Sequence, residues 1–202
     1  MINGKKVIGL FGGSGSGKTT TSKLLNKKIN NAIMLVLDPF MHKHWEEHKK
    51  EILSSINMKE DNTIWRRTCI TKTPESMKTA ISFINTEIEE DVKKSIIENN
   101  KSDYIIIDWA FIPYTSIYNE CDITICLDTD FNIKLNRLSS KLEKNNCLEK
   151  WPQEALFGRI TNTALNEFGY SAKYTINNNG TMADLENEIN KILETEKINY
   201  KK

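Results

Sequence analysis

Five short apolar runs, separated by longer and more polar stretches, dominate the hydrophobic pattern of the chain. They cover residues 6–11, 33–37, 104–107, 123–127 and 174–176. Runs of this length and composition predict buried strands. Helix-compatible stretches lie between them, and this alternation favours an α/β fold with a parallel sheet. We therefore expect a five-stranded parallel sheet with helices on both faces.

Apolar residues at helical spacing mark the stretches between the strands. The predicted helices are residues 20–29, a long region from Pro74 towards Asn99, a stretch after Asp130 and a capped stretch after Thr181. Four positions of the last helix are expected to face the core: Met182, Leu185, Ile189 and Ile192. Residues 42–58 are more polar and predict a solvated helix.

The first apolar run leads into a glycine-rich loop that matches the pattern G-x-x-x-x-G-K-[ST] at every position. The loop reads Gly12-Gly13-Ser14-Gly15-Ser16-Gly17-Lys18-Thr19 and continues into Thr20. Glycines at this spacing let backbone N–H groups converge on phosphate oxygens at the positive end of a helix. We therefore predict that residues 13–20 bind ATP, with Lys18 at the β- and γ-phosphates and Thr19 as a ligand of Mg²⁺.

Two acidic residues follow the ends of predicted strands. Asp38 comes directly after the second run and Asp108 directly after the third. Because ligands bind outside the carboxyl ends of parallel strands, both carboxylates are expected at the cleft of the glycine-rich loop. Asp38 could accept a proton from an acceptor hydroxyl or hold Mg²⁺ through water, or it could be a turn residue before Pro39. Asp108 is expected to orient Mg²⁺ or its water.

An aromatic residue and a pair of cations are further candidates for contacts with an acceptor. Trp109 would line the mouth of the cleft, where it could stack on a base or cap the core. Arg66 and Arg67 form a doublet that could bind a phosphate or carboxylate in a fork, or make exposed ion pairs. The candidate acceptor-binding residues are therefore Asp38, Arg66, Asp108 and Trp109.

A segment rich in Lys, Glu and Asn predicts a mobile lid. It covers residues 139–158 and contains the break Trp151-Pro152. Arg137 precedes the segment, off the apolar stripe of its helix, and Arg159 follows it. We expect one of these two arginines to contact the transferring phosphate, with surface solvation as the alternative for either.

Two other motifs are weak evidence for a function. Residues 44–48 fit the zinc pattern H-x-x-E-H, but no third ligand is recognisable. Residues 100–103 spell the guanine-reading tetrad N-K-x-D, but they precede a strand instead of following one, and the chain has no D-x-x-G. We therefore reject a zinc hydrolase and a GTPase switch.

Charge and cysteine content narrow the possible partners. The formal net charge is +1, so no global field attracts nucleic acid or an anionic membrane. The four cysteines show no metal-like spacing and suit free thiols in a reducing compartment. The apolar runs are too short to span a membrane. We expect a cytoplasmic protein, a monomer or small homo-oligomer, that binds a small-molecule acceptor.

Several of these segments together resemble the dephospho-coenzyme A kinases of the P-loop nucleoside and nucleotide kinase group. The segments are the glycine-rich loop, residues 74–88, the strand ending at Asp108, residues 117–122 and residues 174–181. The resemblance implies ATP and Mg²⁺ as cofactors and a role in coenzyme A biosynthesis. It implies that Lys18 and Thr19 serve ATP·Mg²⁺ and that Asp38 is the catalytic base. It further implies that Arg137 belongs to the lid hinge and that Asn178 lies near adenine.

The chain departs from that family on the acceptor side. Where the family has a D-x-D pair and a His-Pro, this chain has Asp38-Pro39-Phe40 and Asn85-Thr86, and its lid lacks the usual Gln and Lys downstream of Arg159. The glycine-rich loop and residues 127–130 instead resemble uridine kinases, although the basic lid motif of those enzymes is missing. An ATP-binding regulatory protein without acceptor phosphorylation is the alternative from a different class.

Taken together, the sequence predicts one domain, residues 1–202, with a three-layer P-loop kinase fold and the sheet order 2-3-1-4-5. Residues 39–100 would form a helical insertion on the acceptor side, and residues 139–158 a small helical lid. The expected reaction moves the γ-phosphoryl group of ATP to a hydroxyl of a nucleoside-like small molecule. Dephospho-coenzyme A is the favoured acceptor and uridine or another nucleoside is the alternative. The catalytic candidates are Lys18, Asp38 and Arg137.

Overall fold

The computed structural model describes residues 4–58, 73–145 and 152–201, and its centre is a parallel five-stranded sheet. The strands are β1 (Lys6–Gly12), β2 (Ala32–Val36), β3 (Tyr104–Asp108), β4 (Ile123–Asp128) and β5 (Tyr174–Asn177). Their spatial order is β2-β3-β1-β4-β5. The predicted strands, their parallel direction and their order are confirmed.

The register of the sheet brings the ends of neighbouring strands to one edge. Asp108 at the end of β3 lies opposite Leu10 of β1 and Val36 of β2. On the other side of β1, Gly12 lies opposite Leu127 of β4. Because all the strands are parallel, the segments that leave their carboxyl ends share this edge, including the glycine-rich loop after β1.

Helices cover both faces of the sheet. Their bounds are α1 (Lys18–Lys28), α2 (Asp38–Glu47), α3 (Lys49–Ser55), α4 (Pro74–Ser82), α5 (Asn85–Glu98), α6 (Ile117–Glu120), α7 (Phe131–Lys144), α8 (Gln153–Asn162) and α9 (Met182–Thr195). Short 3₁₀ turns cover Ile112–Tyr114 and Leu165–Phe168. Among residues 4–58, 73–145 and 152–201, no helix has both the length and the apolar character that crossing a membrane requires.

The buried side chains form one apolar cluster on each face of the sheet and a third, smaller one apart from it. The first cluster packs α2 to α5 on one face and includes Phe11, Trp45 and Ile81. The second packs α1 and α9 on the other face and includes Leu25 and Ile189. The third, which we call the α7–α8 cluster, joins these two helices and consists of Leu138, Leu142, Leu156 and Ile160. Burial of both faces explains why the strands read as continuous apolar runs.

The long helical region predicted from Pro74 towards Asn99 is two helices. α4 ends at Ser82 and α5 begins at Asn85. Between them, the Ile84 N–H donates to the Ile81 carbonyl at 3.1 Å in a tight turn. Ile81, Ile84 and Ile88 are all fully buried, so the apolar periodicity continues across the break and conceals it in the sequence.

The prediction of a solvated helix over residues 42–58 is wrong. The first helix of this region begins earlier, at Asp38, and Trp45 is completely buried, with its indole N–H donating to the Ala80 carbonyl at 3.2 Å. Ile52 and Leu53 of α3 are buried as well. These side chains cover the first core cluster, so the region is a packed layer in which the polar residues occupy only the outer surface.

Met182 does not face the core as predicted, because 55% of its surface is exposed. It is the first residue of α9 and lies at a small recess that Gly17 and Thr20 also line. Leu185, one turn later, is the first apolar residue of this helix to reach the second core cluster. The helix was therefore predicted correctly, but its first residue lies beyond the part that packs against the second core cluster.

His44 is a buried imidazole held between two carboxylates. Its Nδ1 lies 2.6 Å from Glu47 Oε2 on the same helix, and its Nε2 lies 2.7 Å from Asp91 Oδ2 on α5. Burial lowers the pKa of His44, but the hydrogen bonds to Asp91 and Glu47 outweigh it, and the net shift is upward. Both ring nitrogens are engaged, which leaves neither as a ligand for the H-x-x-E-H zinc pattern that the sequence analysis rejected.

The raised pKa of His44 predicts that stability falls as the pH rises. A group whose pKa is raised by folding contributes fully below its unfolded value near pH 6.5 and loses that contribution as the pH passes its folded value. We expect the His44→Gln variant to be less stable than the wild type by roughly 2 kcal/mol at pH 6. The gap should narrow as the pH rises, in chemical denaturation measured from pH 6 to pH 9.

His48→Gln is the matched control for this experiment. His48 Nε2 pairs with Glu87 at 2.9 Å, but about a third of each side chain is exposed, whereas the His44 side chain is only 7% exposed. The control should therefore show a smaller loss of stability. A gap between the wild type and His44→Gln that stays constant or widens with pH would contradict the prediction.

Candidate active site

A cavity of about 440 Å³ opens at the carboxyl edge of the strands. The glycine-rich loop, the start of α1, the start of α2, α7 and α8 all contribute to its lining. Its polar lining includes Ser14, Lys18, Thr19, Thr20, Asp38, Asp108, Arg137, Lys141, Arg159 and Thr163. Its apolar lining includes Val36, Met41, Trp109, Ala110, Phe111 and Leu138. The loop and both predicted acids therefore line one cavity.

The glycine-rich loop has a backbone shape that requires glycine, as Gly15 and Gly17 show. Gly15 has φ 84° and Gly17, the N-cap of α1, has φ 100°, and residues with a Cβ rarely adopt these angles. A Cβ on Gly15 would collide with the backbone carbonyl of Lys134, and one on Gly17 with the side-chain amide of Asn178. The loop is thus packed closely against α7 and the residue that follows β5. This packing fixes the positions of its backbone amides.

Lys18 lies folded over the loop that precedes it. Its Nζ donates to the carbonyls of Gly12 at 2.8 Å and Gly13 at 3.2 Å. Burial lowers the pKa of Lys18, while the negative charges of Asp108 and Asp38 oppose this shift. A positive charge deprived of water at this place would be stabilised by a polyphosphate.

The two candidate acids differ in exposure. Asp38 is exposed and is the first residue of α2, followed by Pro39, so the turn interpretation is replaced by a helix start, where a carboxylate is favourable. Asp108 is only 3% exposed, and its Oδ2 accepts a hydrogen bond of 2.9 Å from the Ser22 hydroxyl. Asp108 is therefore held rigidly, whereas Asp38 can meet a ligand directly.

Oxygen atoms suited to Mg²⁺ lie next to the loop. Thr19 and Asp108 both line the cavity and offer a hydroxyl and a carboxylate, the hard donors that Mg²⁺ prefers. Ser22, which anchors Asp108, was missed in the sequence analysis. It lies three residues after Thr19 on α1, and this spacing places both side chains on one helical face. That spacing was the sequence signal that could have identified Ser22.

Three cations of α7 and α8 line the other side of the cavity. Arg137 and Lys141 come from α7 and Arg159 from α8. Arg159 Nε donates to the Ser14 hydroxyl at 3.3 Å, and burial lowers the pKa of its guanidinium, while the charge of Asp38 opposes this shift. In the described part of the chain, Arg137 Nη1 is buried without a hydrogen-bond partner. Lys141 was missed, although it follows Arg137 by four residues on the same helical face.

Thr163, immediately after α8, ties the end of that helix to the glycine-rich loop. It is 2% exposed, and its hydroxyl accepts a hydrogen bond of 2.7 Å from the Ser14 N–H. The same hydroxyl lies 2.7 Å from the Arg159 carbonyl, to which it donates. No motif marks this residue in the sequence, because the contact joins positions that are far apart along the chain.

A smaller recess of about 150 Å³ continues from the loop towards β5 and α9. It shares Gly17, Thr20 and Arg137 with the main cavity and is otherwise lined by Asn178, Gly180, Thr181, Met182 and Leu185. The sequence analysis placed Asn178 near adenine, and Asn178 does line this recess. Its side-chain amide, however, donates to the Ser16 carbonyl at 2.7 Å, so that donor is used by the loop itself.

The two remaining acceptor-side candidates have different positions. Trp109 is 1% exposed and belongs to the first core cluster, where its ring meets Phe111 edge-on at 5.8 Å. It also lines the cavity, so packing and a ligand contact are compatible. Arg66 and its neighbour Arg67 lie outside the residues that the structure describes.

Comparison with known proteins shows similarity at the level of structure. No family model and no curated protein matches the chain. The protein TT1252 from Thermus thermophilus has a TM-score of 0.60 and 16% identity, over 95% of this chain and 97% of that one. Shikimate kinase from Acinetobacter baumannii, solved with shikimate, has a TM-score of 0.52 and 18% identity, over 96% and 95%. Dephospho-CoA kinase from Campylobacter jejuni has a TM-score of 0.53 and 17% identity, over 94% and 96%.

These likenesses extend over nearly the whole of each chain, but their identities are too low to carry more than architecture. The sheet order and the layers of helices agree with that architecture. The chain therefore has the P-loop kinase fold.

Proposed function

We propose that the protein is an ATP-dependent kinase that transfers the γ-phosphoryl group of ATP to a hydroxyl of a nucleoside-like small molecule. The observation that carries this proposal is the shared cavity. The loop with Lys18, the exposed Asp38, the anchored Asp108 and the arginines of α7 and α8 all line it. Phosphoryl transfer needs this combination of cations around the phosphates and a carboxylate beside the acceptor.

Each side chain has a distinct task in the proposed reaction. Lys18 and the two arginines stabilise the negative charge on the transferring group, because all three line the cavity in which it would lie. Asp38 accepts the proton of the acceptor hydroxyl as the oxygen attacks in line. Thr19 and Asp108 would hold Mg²⁺, which when bound neutralises charge on the phosphates.

The wall beside Asp38 supports an acceptor with a flat or apolar part. Met41, Trp109 and Phe111 line the cavity on this side, and aromatic and thioether groups pack well against rings. Dephospho-coenzyme A remains the favoured acceptor because the sequence resembles kinases of that substrate, and a nucleoside such as uridine is the second candidate. One structural neighbour acts on shikimate, a hydroxylated ring of another class, which belongs in the test for that reason.

A direct assay tests the proposal. Purified protein would be incubated with ATP and Mg²⁺ and, in separate reactions, dephospho-coenzyme A, uridine, cytidine, deoxynucleosides and shikimate. Mass spectrometry should detect one acceptor that has gained a phosphate and an equal amount of ADP. Tight ATP binding with no phosphorylated acceptor would contradict the kinase and favour the regulatory ATP-binding protein, for which the departures at Asp38-Pro39-Phe40 and Asn85-Thr86 are the supporting observation.

A further inference from the structure

Two buried side chains donate hydrogen bonds to the backbone of the glycine-rich loop. Asn178, which follows β5, donates from its amide to the Ser16 carbonyl at 2.7 Å, and Thr129, which follows β4, donates to the same oxygen at 3.2 Å. Asn178 is 5% exposed and Thr129 is 4% exposed. Buried hydrogen bonds to a single carbonyl fix the direction of that peptide group.

The direction of the Ser16 carbonyl determines where the next N–H points. A trans peptide is planar, with its C=O and N–H on opposite sides of the bond. The Gly17 N–H must therefore point away from Asn178 and Thr129. Within the described residues, it donates to no protein group.

Two other amides of the loop already donate to protein groups, whereas the Gly17 N–H does not. The Ser14 N–H donates to the Thr163 hydroxyl at 2.7 Å and the Ser16 N–H to the Gly13 carbonyl at 3.0 Å. Neither can turn towards a phosphate without breaking its bond. The Gly17 N–H, at the N-cap of α1, is free to bind an anion.

We infer that Asn178 is a positioning residue for phosphate binding, which acts through the Ser16–Gly17 peptide and does not read the base. The inference rests on the proposed function, because it assumes that the loop binds the phosphates of a nucleotide. Asn178 is itself fixed, since its backbone N–H donates to the Asp128 carbonyl at 2.7 Å. The end of β4, the end of β5 and the phosphate loop are thus joined at one peptide group.

Calorimetry with three probes tests this role. Asn178→Ala should weaken the binding of ATP and of inorganic tripolyphosphate, which has no base, by the same factor of roughly ten. Binding of adenosine, which has no phosphate, should be unchanged. Thr129→Val removes the longer of the two hydrogen bonds and should weaken ATP and tripolyphosphate in the same direction by a smaller factor.

Asn179→Ala is the matched control, because it removes the same side chain from the next position of the same loop. Asn179 pairs with Asp130 at 2.9 Å and does not contact the phosphate loop, so all three probes should bind as they do to the wild type. If adenosine is weakened in proportion to ATP, Asn178 reads the base and the inference is wrong. Unchanged tripolyphosphate binding would also overturn it.

Further outcomes distinguish a failure of the inference from misfolding of the variant and from a failure of the proposed function. If Asn178→Ala fails to fold, Thr129→Val decides the question with the same probes, and unchanged tripolyphosphate binding in that variant overturns the inference. A wild-type protein that binds neither ATP nor tripolyphosphate would refute the proposed function, and the inference with it. A wild type that binds both, together with variants that bind equally well, would refute the inference alone.

Discussion

The Lys18→Met variant is expected to lose phosphoryl transfer by a factor of about 10² to 10³. Methionine keeps the length and apolar stem of the side chain but removes the ammonium that the loop carbonyls of Gly12 and Gly13 now hold. ATP binding should weaken too, because the cavity loses the cation nearest the loop. Turnover in the acceptor assay and calorimetry with ATP·Mg²⁺ measure the two effects.

The same substitution should leave the fold intact. Burial lowers the pKa of Lys18, so removing its charge is favourable for folding, and this offsets the loss of the hydrogen bonds to the Gly12 and Gly13 carbonyls. The melting temperature should therefore stay close to that of the wild type. Lys23→Met, at an exposed position of the same helix, is the control and should retain full activity. A Lys18→Met enzyme with wild-type turnover would refute the assigned role.

The Asp38→Asn variant is expected to separate binding from chemistry. The amide has nearly the same shape as the carboxylate but cannot accept the hydroxyl proton, so turnover should fall by about 10² to 10⁴. ATP binding should remain close to that of the wild type, because in the proposed reaction Asp38 contacts the acceptor hydroxyl and the loop binds the phosphates. Steady-state kinetics and calorimetry on the same preparation test both statements.

Glu75→Gln is the matched control for Asp38→Asn. Glu75 is exposed in the first turn of α4, next to Pro74, as Asp38 is in the first turn of α2, next to Pro39. Both variants lose one negative charge at a helix N-terminus, so any shared loss of stability reflects the helix dipole. If Asp38→Asn keeps full turnover, another group is the base, and the buried Asp108 is the next residue to test.

The sheet and the phosphate loop could be predicted from the sequence because the signals for both are local. Each strand is a continuous apolar run, and the loop has a pattern whose glycines have a direct backbone reason, seen here at Gly15 and Gly17. The strand order followed from the resemblance, because no local pattern encodes it.

The packing of α2 and the full composition of the cavity could not be predicted in the same way. Trp45 and His44 lie in a polar stretch, and only the contacts with Ala80 and Asp91, far along the chain, show that they are buried. Thr163 reaches Ser14 across a separation of 149 residues. Such residues are brought to the site by tertiary structure, which hydrophobic spacing does not encode.

The α7–α8 cluster separates the packing of these two helices from the packing of the sheet. Its four apolar side chains belong to neither face of the sheet, yet the helices that they join carry Arg137 and Arg159. The apolar clusters that hold the sheet together and the apolar cluster that joins the two arginine-bearing helices are thus separate. Under the proposed function, we expect substitutions that loosen this helical pair to shorten the time for which a nucleotide stays bound, while the temperature at which the sheet melts stays nearly the same.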